Sequence, residues 1–412
     1  MSTPADDPID PAAFRRDVRA FFERTGPAAL AQAVAGPAGA GAAAGHGDGA
    51  GQGDGDEGVT LTRAKAWRAA LYDAGLGGLD YPRRFGGRGS DDTARAIFAE
   101  ESRGRIPRED AVFAIGVGMA LPTIRDHAGD HLREALLRPG LRGEHVWCQL
   151  YSEPGAGSDL ASLATRAELD GDEWVVHGQK VWTSGAHHSD LAILLARTNP
   201  AAPKHRGITM LVLPMRQAGV EVRPLRQMTG VAEFNEVFLD GARTPRDWVI
   251  GEVDDGWRMA VALLAHERRT TGVASMGGSG AQRSKSGRLP IPYSQLAELA
   301  ATTGRSREPL VRQELAALHA GEVVVRQLAR SAAHPSVGKL WRTRQGRRAA
   351  DLAAALAFPS APAWSSDDAE LDYWQFHVLN CRAMSIGGGT DEIQRNTLGE
   401  RALGLPREPA PG

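Results

Sequence analysis

Residues 149–197 have the sequence QLYSEPGAGSDLASLATRAELDGDEWVVHGQKVWTSGAHHSDLAILLAR, and this stretch decides the predicted fold. It starts in a β-run, residues 146–151, in which apolar and polar residues alternate until a Glu-Pro pair. Two glycines follow and permit backbone angles that other residues disfavour, which predicts a tight loop. In such a loop several N–H groups, together with the hydroxyls of Ser152 and Ser158, can bind the oxygens of a cofactor or an acyl carrier.

The second half of the stretch predicts a hairpin. Residues 174–184 form two β-rich runs around a His-Gly pair at residues 177–178, and they place Trp182, Thr183 and Ser184 before a glycine. An aromatic ring beside two hydroxyls suits a flat heterocycle. Taken alone, a Gly-rich loop after a strand is more often a plain turn than a binding site.

Composition sets the broad class. With 412 residues, 42% hydrophobic and 24% charged, the chain is long enough for two or three packed domains. The net charge of −2 gives no electrostatic reason to expect nucleic acid or an anionic membrane, and no apolar run is long enough to span a bilayer. Only Cys148 and Cys381 occur, without a CxxC motif or a secretory leader, which favours the reducing cytoplasm.

Hydrophobic periodicity predicts an α+β chain with three domains. An N-terminal helical domain covers residues 1–145, a middle β domain 146–252 and a C-terminal four-helix bundle 253–412. Predicted helices are 14–30, 61–74, 92–102, 123–137, 257–271, 310–333, 337–356 and 391–403, and further β-runs are 191–196, 208–213, 220–223 and 234–239. The Gly/Ala/Asp tract 31–58 is predicted to be a disordered or mobile loop, and the Gly/Ser-rich segment 276–295 a surface loop.

Three motifs in a fixed order give this pattern a family resemblance. They are EPGAGSD at 153–159, GQKVWTSG at 178–185 and GGGTDEIQRN at 387–396, and together they resemble the acyl-CoA dehydrogenase family along most of the chain. The resemblance implies a helical, β and helical-bundle architecture, with FAD between the β domain and the bundle and an acyl-CoA as substrate. Competing motifs for nicotinamide, nucleoside triphosphate or serine-hydrolase chemistry are absent, and adjacent histidines at 187–188 do not have the spacing of metal ligands on one strand face.

The same resemblance implies the cofactor-binding residues. Gln149, Tyr151 and Ser152 would hold the flavin ring, and Trp182 and Ser184 would close over its N5 edge, where Ser184 stabilises the reduced form. Further cofactor residues implied are Ser158, which also reaches the thioester pocket, Thr183, Gln313, Thr390 and Glu392. The alternative for each hydroxyl is a turn cap.

The general base is the point at which the sequence departs from many family members. Those members carry a glutamate one residue before the Gly-Thr of the last motif, where this chain has Gly388. A second branch of the family, which includes the isovaleryl and long-chain enzymes, carries the glutamate on the first helix of the bundle. Glu267 matches that position and Arg268 matches an arginine beside it.

Glu267 is also unusual on physical grounds. It follows Leu263 by four residues and Ala260 by seven, so its carboxylate lies on the apolar stripe of a helix, a costly place for a charge. Such a carboxylate should have a raised pKa, which suits a base. The alternative is an ion pair with Arg268 or Arg269 at the end of the helix. At Gly388 the backbone N–H can still bind the thioester carbonyl, and Asp391 or Glu392 are the next candidates for the base.

Elements that reach across subunits in the family are altered here. Residues 302–313, TTGRSREPLVRQ, replace the usual arginine-to-phenylalanine-glycine element and keep only Gln313, and residues 358–368 show no Gly-rich element. We therefore expect the chain to hold FAD poorly alone and to form a 2+2 hetero-oligomer with a related chain, with a homo-oligomer as the alternative.

The sequence predicts an FAD-dependent acyl-CoA dehydrogenase that makes a trans-2-enoyl-CoA by α-proton abstraction and hydride transfer to flavin N5. The expected electron acceptor is an electron-transfer flavoprotein or another acceptor. Two alternatives remain: a non-catalytic partner subunit of a heteromeric acyl-CoA dehydrogenase, and a flavin oxidase or hydroxylase on the same scaffold. The glycine run 387–389 predicts a wide pocket for branched or polycyclic acyl groups.

Overall fold

The computed structural model describes residues 9–25, 52–277, 291–328, 330–331, 333–357 and 369–407. They form two compact units, one of Met1–Leu225 with Glu233–Gly280 and one of Arg226–Ala232 with Ala281–Gly412. Helices precede and follow a β-sheet along the chain, which confirms the predicted α+β class. The predicted domain boundaries stay a prediction. Within the described ranges no helix is long and apolar enough to cross a membrane.

The described residues before the sheet contain five α-helices, α1 to α5. They are Pro11–Arg24, Gln52–Asp73, Asp92–Glu101, Leu121–His127 and Asp130–Arg142. At the start of α1 the Asp10 carboxylate accepts a hydrogen bond from the Ala12 N–H at 2.9 Å, as an N-cap does. The predicted apolar face of α1 is confirmed, because Phe14, Val18, Phe21 and Phe22 are all buried.

Two predictions for this region are wrong in part. Residues 52–58, predicted as part of a mobile loop, are the first turns of α2, and residues 31–51 lie outside the described ranges. Trp67 and Leu71 anchor α2 in the core, and a helix that is already nucleated extends at the gain of one hydrogen bond per residue. The predicted helix 123–137 is two helices, α4 and α5, because Ala128 is extended and forms a β-bridge with Ile250.

The sheet has eight strands, of which the fourth and the fifth are the most deeply buried. The strands are β1 Trp147–Leu150, β2 Arg166–Asp170, β3 Glu173–Ser184, β4 Leu191–Arg197, β5 Ile208–Pro214, β6 Val220–Leu225, β7 Phe234–Pro245 and β8 Val249–Ile250. The order is β6-β7-β3-β2-β4-β5-β8, with β1 parallel to β4. Six consecutive residues of β4 and of β5 are buried, which is typical of strands covered on both faces.

The predicted hairpin around residues 177–178 is wrong. β3 is continuous through these residues, and the chain reverses earlier, at the two-residue turn between Asp170 and Glu173. At His177 the pairing of β3 with β7 shifts register at a β-bulge. Gly178 is required there by packing, because a Cβ atom would lie 2.4 Å from the Thr165 hydroxyl oxygen.

A long helix, α6 (Gly256–Gly277), follows the sheet and packs on β5 and α4. The second unit contains α7 Tyr293–Thr302, α8 Pro309–Leu328, α9 Pro335–Leu356, α10 Ala369–Asn380, α11 Ala383–Ile386 and α12 Asp391–Thr397, followed by a π-helix Leu398–Ala402. The predicted four-helix bundle has too few helices, because α7, α10 and α11 were not predicted. α7 begins inside the predicted loop 276–295 because Leu296 and Ala300 join the core of the unit, and residues 278–290 lie outside the described ranges.

Candidate active site

A buried ion pair holds the Gly-rich loop after β1 against β3. The Lys180 ammonium has no exposed surface and donates to Glu153 Oε1 at 2.8 Å and to the Tyr151 carbonyl at 3.0 Å. The Glu153 carboxylate also accepts hydrogen bonds from the N–H groups of Thr165 at 2.9 Å and Ala164 at 2.7 Å. One carboxylate and one ammonium thus join the end of β1, both ends of the loop and the middle of β3.

The pKa values of Lys180 and Glu153 are both lowered, but for different reasons. Burial lowers the pKa of Lys180 to about 8, although the Glu153 carboxylate opposes the shift. Burial acts to raise the pKa of Glu153, but the Lys180 ammonium and the hydrogen bonds from residues 164–165 outweigh it, so the pKa falls. Both residues lie within the sequence motifs EPGAGSD and GQKVWTSG, but the motifs alone do not predict that they pair. The only sign of this pair in the sequence was an acidic residue in the predicted loop and a basic residue in a predicted β-run.

Trp182 is presented outward from the end of β3. Its backbone has φ 61°, and the pairing of β3 with β7 shifts between Lys180 and Thr183. A left-handed angle at an aromatic residue costs about 1–3 kcal/mol, so it persists only where its surroundings impose it. The residue is 58% exposed, and its ring stands edge-on to Phe234 at 5.8 Å between centroids. A large exposed aromatic surface is therefore available at this strand end.

The hydroxyls predicted to line the cofactor have unequal exposure. Thr183 is buried, and its Oγ1 has no hydrogen-bond partner in the described part of the chain. Ser152 and Ser184 are half-buried, as is Gln149 on β1, whereas Ser158 is exposed. The structure thus places these five residues on β1, the Gly-rich loop and the end of β3.

Tyr151 lies in the core that α6 forms with the sheet, and Glu267 lies on the same helix. Tyr151 follows β1, is 5% exposed and packs in the same cluster as Ala260 and Leu263 of α6. Glu267 lies one turn after Leu263 and is half-buried, as the apolar stripe predicted. Burial, followed by the charge of Glu267, raises the pKa of Tyr151 well above its ordinary value. Glu267 is therefore near enough to Tyr151 for its charge to act on the phenol, while the side chain of Arg268 lies outside the described ones.

In the second unit the last motif forms a turn before α12. Gly388 and Gly389 have φ 65° and 80°, and Gln394 Nε2 donates to the Gly388 carbonyl at 2.8 Å. The Thr390 hydroxyl caps α12 by accepting a hydrogen bond from the Ile393 N–H at 3.3 Å. This matches the capping alternative for Thr390.

The two acidic residues of the motif differ sharply. Asp391 is buried and its carboxylate lies 2.9 Å from the Lys339 ammonium and 3.7 Å from the Arg347 guanidinium. Glu392 is 76% exposed, and hydrogen bonds from its own N–H and from the Thr390 hydroxyl lower its pKa. Asp391 is therefore engaged by two cations within its own unit. Gln313 is exposed on α8.

In a comparison with known proteins, two segments of the chain match the same protein family. Residues 148–242 match the middle domain and residues 254–403 the C-terminal domain of acyl-CoA dehydrogenases. Acyl-CoA dehydrogenase IpdE1 of Mycobacterium tuberculosis (strain ATCC 25618 / H37Rv) is 41% identical over 362 residues, which are 84% of this chain and 88% of that protein.

Two solved structures are similar over nearly the whole chain. The ChsE4-ChsE5 complex from Mycobacterium tuberculosis matches with a TM-score of 0.69 and 26% identity, covering 99% of each chain. The Tcur3481-Tcur3483 steroid ACAD matches with a TM-score of 0.70 and 25% identity, covering 98% of this chain and 99% of that one. The chain belongs to the acyl-CoA dehydrogenase family, whose members are FAD-dependent oxidoreductases that act on CH–CH bonds.

Proposed function

We propose that this chain is a catalytic subunit that oxidises an acyl-CoA to its trans-2-enoyl-CoA, with Glu267 as the general base. The observation that carries the proposal is the position of Glu267 on the packed face of α6, close enough to Tyr151 for its charge to act on the phenol. A non-catalytic partner subunit would have no need of a carboxylate at this place in the core.

The residues at the strand ends fit FAD. Thr183 Oγ1 is buried without a partner among the described residues, and Trp182 offers an exposed ring beside it. A flat ring system with polar edges satisfies both features. The residues of the first unit that would hold it are Gln149, Tyr151, Ser152, Ser158, Trp182, Thr183 and Ser184. For Gln313, Thr390 and Glu392, which belong to the second unit, cofactor binding stays a prediction from the family resemblance. When bound, FAD supplies the acceptor for the hydride that leaves the β-carbon.

The chain itself supplies the proton chemistry. Glu267 takes the proton from the α-carbon, and its place on an apolar helix face favours a strong base once substrate excludes water. For Gly388, which belongs to the second unit, the family resemblance predicts an N–H that donates to a thioester carbonyl, a contact that needs no side chain. Ser158 and Arg268 are proposed to contact the acyl-CoA. We propose an electron-transfer flavoprotein as the acceptor of the electrons. We also propose a cytoplasmic location, which the two unpaired thiols Cys148 and Cys381 support.

Anaerobic addition of acyl-CoAs to the purified protein with bound flavin tests the proposal. We expect branched or polycyclic thioesters to bleach the flavin absorbance fastest in a panel of butyryl-, isovaleryl-, octanoyl- and cholyl-CoA, because the glycine run 387–389 leaves room. The similar structure described as a steroid ACAD supports this direction. If only butyryl-CoA bleached the flavin, the proposed substrate class would be wrong. If no thioester bleached it, the proposed dehydrogenase activity would be wrong. Fast reoxidation by oxygen would favour the flavin oxidase.

We further propose a 2+2 hetero-oligomer with a related chain. Two of the similar structures are described by pairs of chain names, and one of them as a complex. In the altered segment, the Arg305 guanidinium donates to both oxygens of Glu308 at 2.8 Å, so in this structure it pairs within its own unit. We expect the chain expressed alone to hold less than one FAD per chain, measured by absorbance, and to gain FAD on co-expression with its partner. A homotetramer with one tightly held FAD per chain, seen by light scattering, would refute this.

A further inference from the structure

Asn235 is a polar residue on the buried face of β7. Asn235, Val237 and Leu239 alternate with more exposed residues along this strand, and all three are buried. Valine and leucine suit such positions, whereas asparagine is disfavoured in strands and is costly to bury unless its amide is hydrogen-bonded. The presence of Asn235 therefore depends on the bonds that its amide makes.

Those bonds join β7 to the end of β3. The Asn235 Nδ2 donates to the Thr183 carbonyl at 3.1 Å and lies 3.2 Å from Nδ1 of His187. A carbonyl oxygen only accepts hydrogen bonds, so the amide nitrogen must face Thr183, and its second hydrogen can be donated to the imidazole. One buried side chain thus holds the end of β3 and the short helical turn Ala186–His188 that follows it.

The bonds lie at the bulge that turns Trp182 outward. Between the pairs Lys180–Val237 and Thr183–Asn235, β3 contains two residues and β7 contains one. Such bulges re-aim side chains and are frequent beside functional sites. Trp182 has φ 61°, an angle that glycine adopts freely but a tryptophan only where its surroundings impose it. Asn235 bonds the residue directly after Trp182 and is one of these surroundings.

The residue before Trp182 is also held. The Val181 N–H donates to the carbonyl of Ser152, in the Gly-rich loop, at 2.9 Å. The Thr183 carbonyl belongs to the same peptide group as the Ser184 N–H, so the bond from Asn235 also fixes the orientation of the Ser184 backbone. A main-chain bond before Trp182 and a side-chain bond after it therefore fix the bulge.

We propose that Asn235 is a positioning residue for the flavin site: its amide holds the bulge of β3 in the conformation that presents the Trp182 ring and the Ser184 hydroxyl. The proposal rests on the proposed role of these two residues in holding FAD. Asn235 is 1% exposed, so it acts through the backbone of β3 and not by contact with the cofactor. His187 acts one step further out, because it orients the amide of Asn235.

The expected effect of removing the amide is weaker binding of FAD. Asn235→Leu keeps a side chain of similar size but has no donor, so Trp182 is free to leave its left-handed conformation before FAD binds. The dissociation constant rises by the inverse of the fraction of molecules that stays competent to bind. Loss of these bonds should reduce that fraction to about one tenth and raise the Kd for FAD about tenfold.

Two measurements on the full-length chain test the proposal. Titration of the flavin-free protein with FAD, followed by flavin fluorescence, gives the Kd. Fluorine NMR reports on Trp182 without any flavin: the nine tryptophans are replaced by 5-fluorotryptophan, and the Trp182 signal is identified by its loss in Trp182→Phe. In Asn235→Leu we expect this signal to shift or split, because Trp182 then populates more than one conformation.

Thr244→Val is the matched control. Thr244 is buried on the same strand, and its hydroxyl also donates to a main-chain carbonyl, that of Val212. The variant loses a bond of the same kind at the other end of β7, so it should be destabilised in urea as Asn235→Leu is. The Kd for FAD and the Trp182 signal should stay unchanged, because a purely structural loss changes stability alone.

His187→Phe is a milder second variant, because His187 is exposed and its replacement removes only the acceptor that orients the amide. It should change the Kd and the Trp182 signal in the same direction by a smaller amount. An unchanged Trp182 signal in Asn235→Leu, or an equal rise of the Kd in Thr244→Val, would overturn the proposal. If Asn235→Leu does not fold, an unchanged signal in His187→Phe would overturn it. If the parent bound no FAD, the proposed flavin site would fail while the Trp182 signal of the flavin-free protein still decided the role of Asn235.

Discussion

Replacement of Glu267 by glutamine is expected to slow flavin reduction by acyl-CoA about 10²- to 10⁴-fold, the usual contribution of a positioned general base. Glutamine keeps the size and the hydrogen-bonding ability of the side chain, but it cannot take up the α-proton. Because Glu267 is half-buried on the packed face of α6 and is not among the residues proposed to hold FAD, the variant should retain its flavin. The loss should therefore appear in the rate of reduction at saturating substrate.

Single-turnover stopped flow under anaerobic conditions measures this rate, and absorbance gives the FAD content of each preparation. Glu252→Gln serves as the control, since Glu252 is an exposed carboxylate just before α6. If Glu267→Gln reduced its flavin at the parent rate, the base would lie elsewhere. Glu392 would then be tested before Asp391, whose carboxylate is held by Lys339 and Arg347.

Local patterns predicted most of the elements and the place of the candidate base. The spacing of Ala260, Leu263 and Glu267 on one helical face needs only the period of an α-helix, and the structure confirms that Leu263 is buried and Glu267 half-buried. The glycine that replaces the family's glutamate at residue 388 also suits the backbone there, because φ is 65° at Gly388, an angle that glycine adopts without cost.

Features that depend on distant residues could not be predicted in this way. The His-Gly pair in β3 has the composition of a turn, yet Gly178 lies inside a strand because Thr165 leaves no room for a side chain. The outward position of Trp182 depends on a bulge in the pairing of β3 with β7, which is set by another strand. For the same reason the pair of Glu153 and Lys180, 27 residues apart, was not recognised.

Replacement of Lys180 by methionine is expected to lower the free energy of unfolding by about 3–5 kcal/mol, the loss found when one partner of a buried ion pair is removed. Methionine fills the space of the lysine stem, but it leaves the Glu153 carboxylate buried with only the N–H groups of residues 164–165 as donors. The loop that carries Ser158 loses its link to β3 at the same time. Equilibrium denaturation near neutral pH measures the loss.

An exposed pair in the same domain provides the control. Lys204→Met breaks a contact with Asp159 in which both side chains are about half exposed, and such pairs contribute only about 0–1 kcal/mol. Adding Glu153→Gln to Lys180→Met should restore part of the stability, because the uncompensated charge is then gone. Equal losses in Lys180→Met and Lys204→Met would show that the buried pair does not hold the loop.

The pH dependence of the stability tests the role of the buried pair independently. In the parent the pKa of Glu153 is depressed, so the contribution of this carboxylate is complete above its ordinary value of 4.5 and is lost as the pH falls through the folded value. In Lys180→Met burial acts without the cation and should raise that pKa, so protonation relieves the buried charge as the pH falls. The difference in stability between parent and variant should therefore shrink from neutral to acid pH, whereas a loss caused only by packing would stay constant.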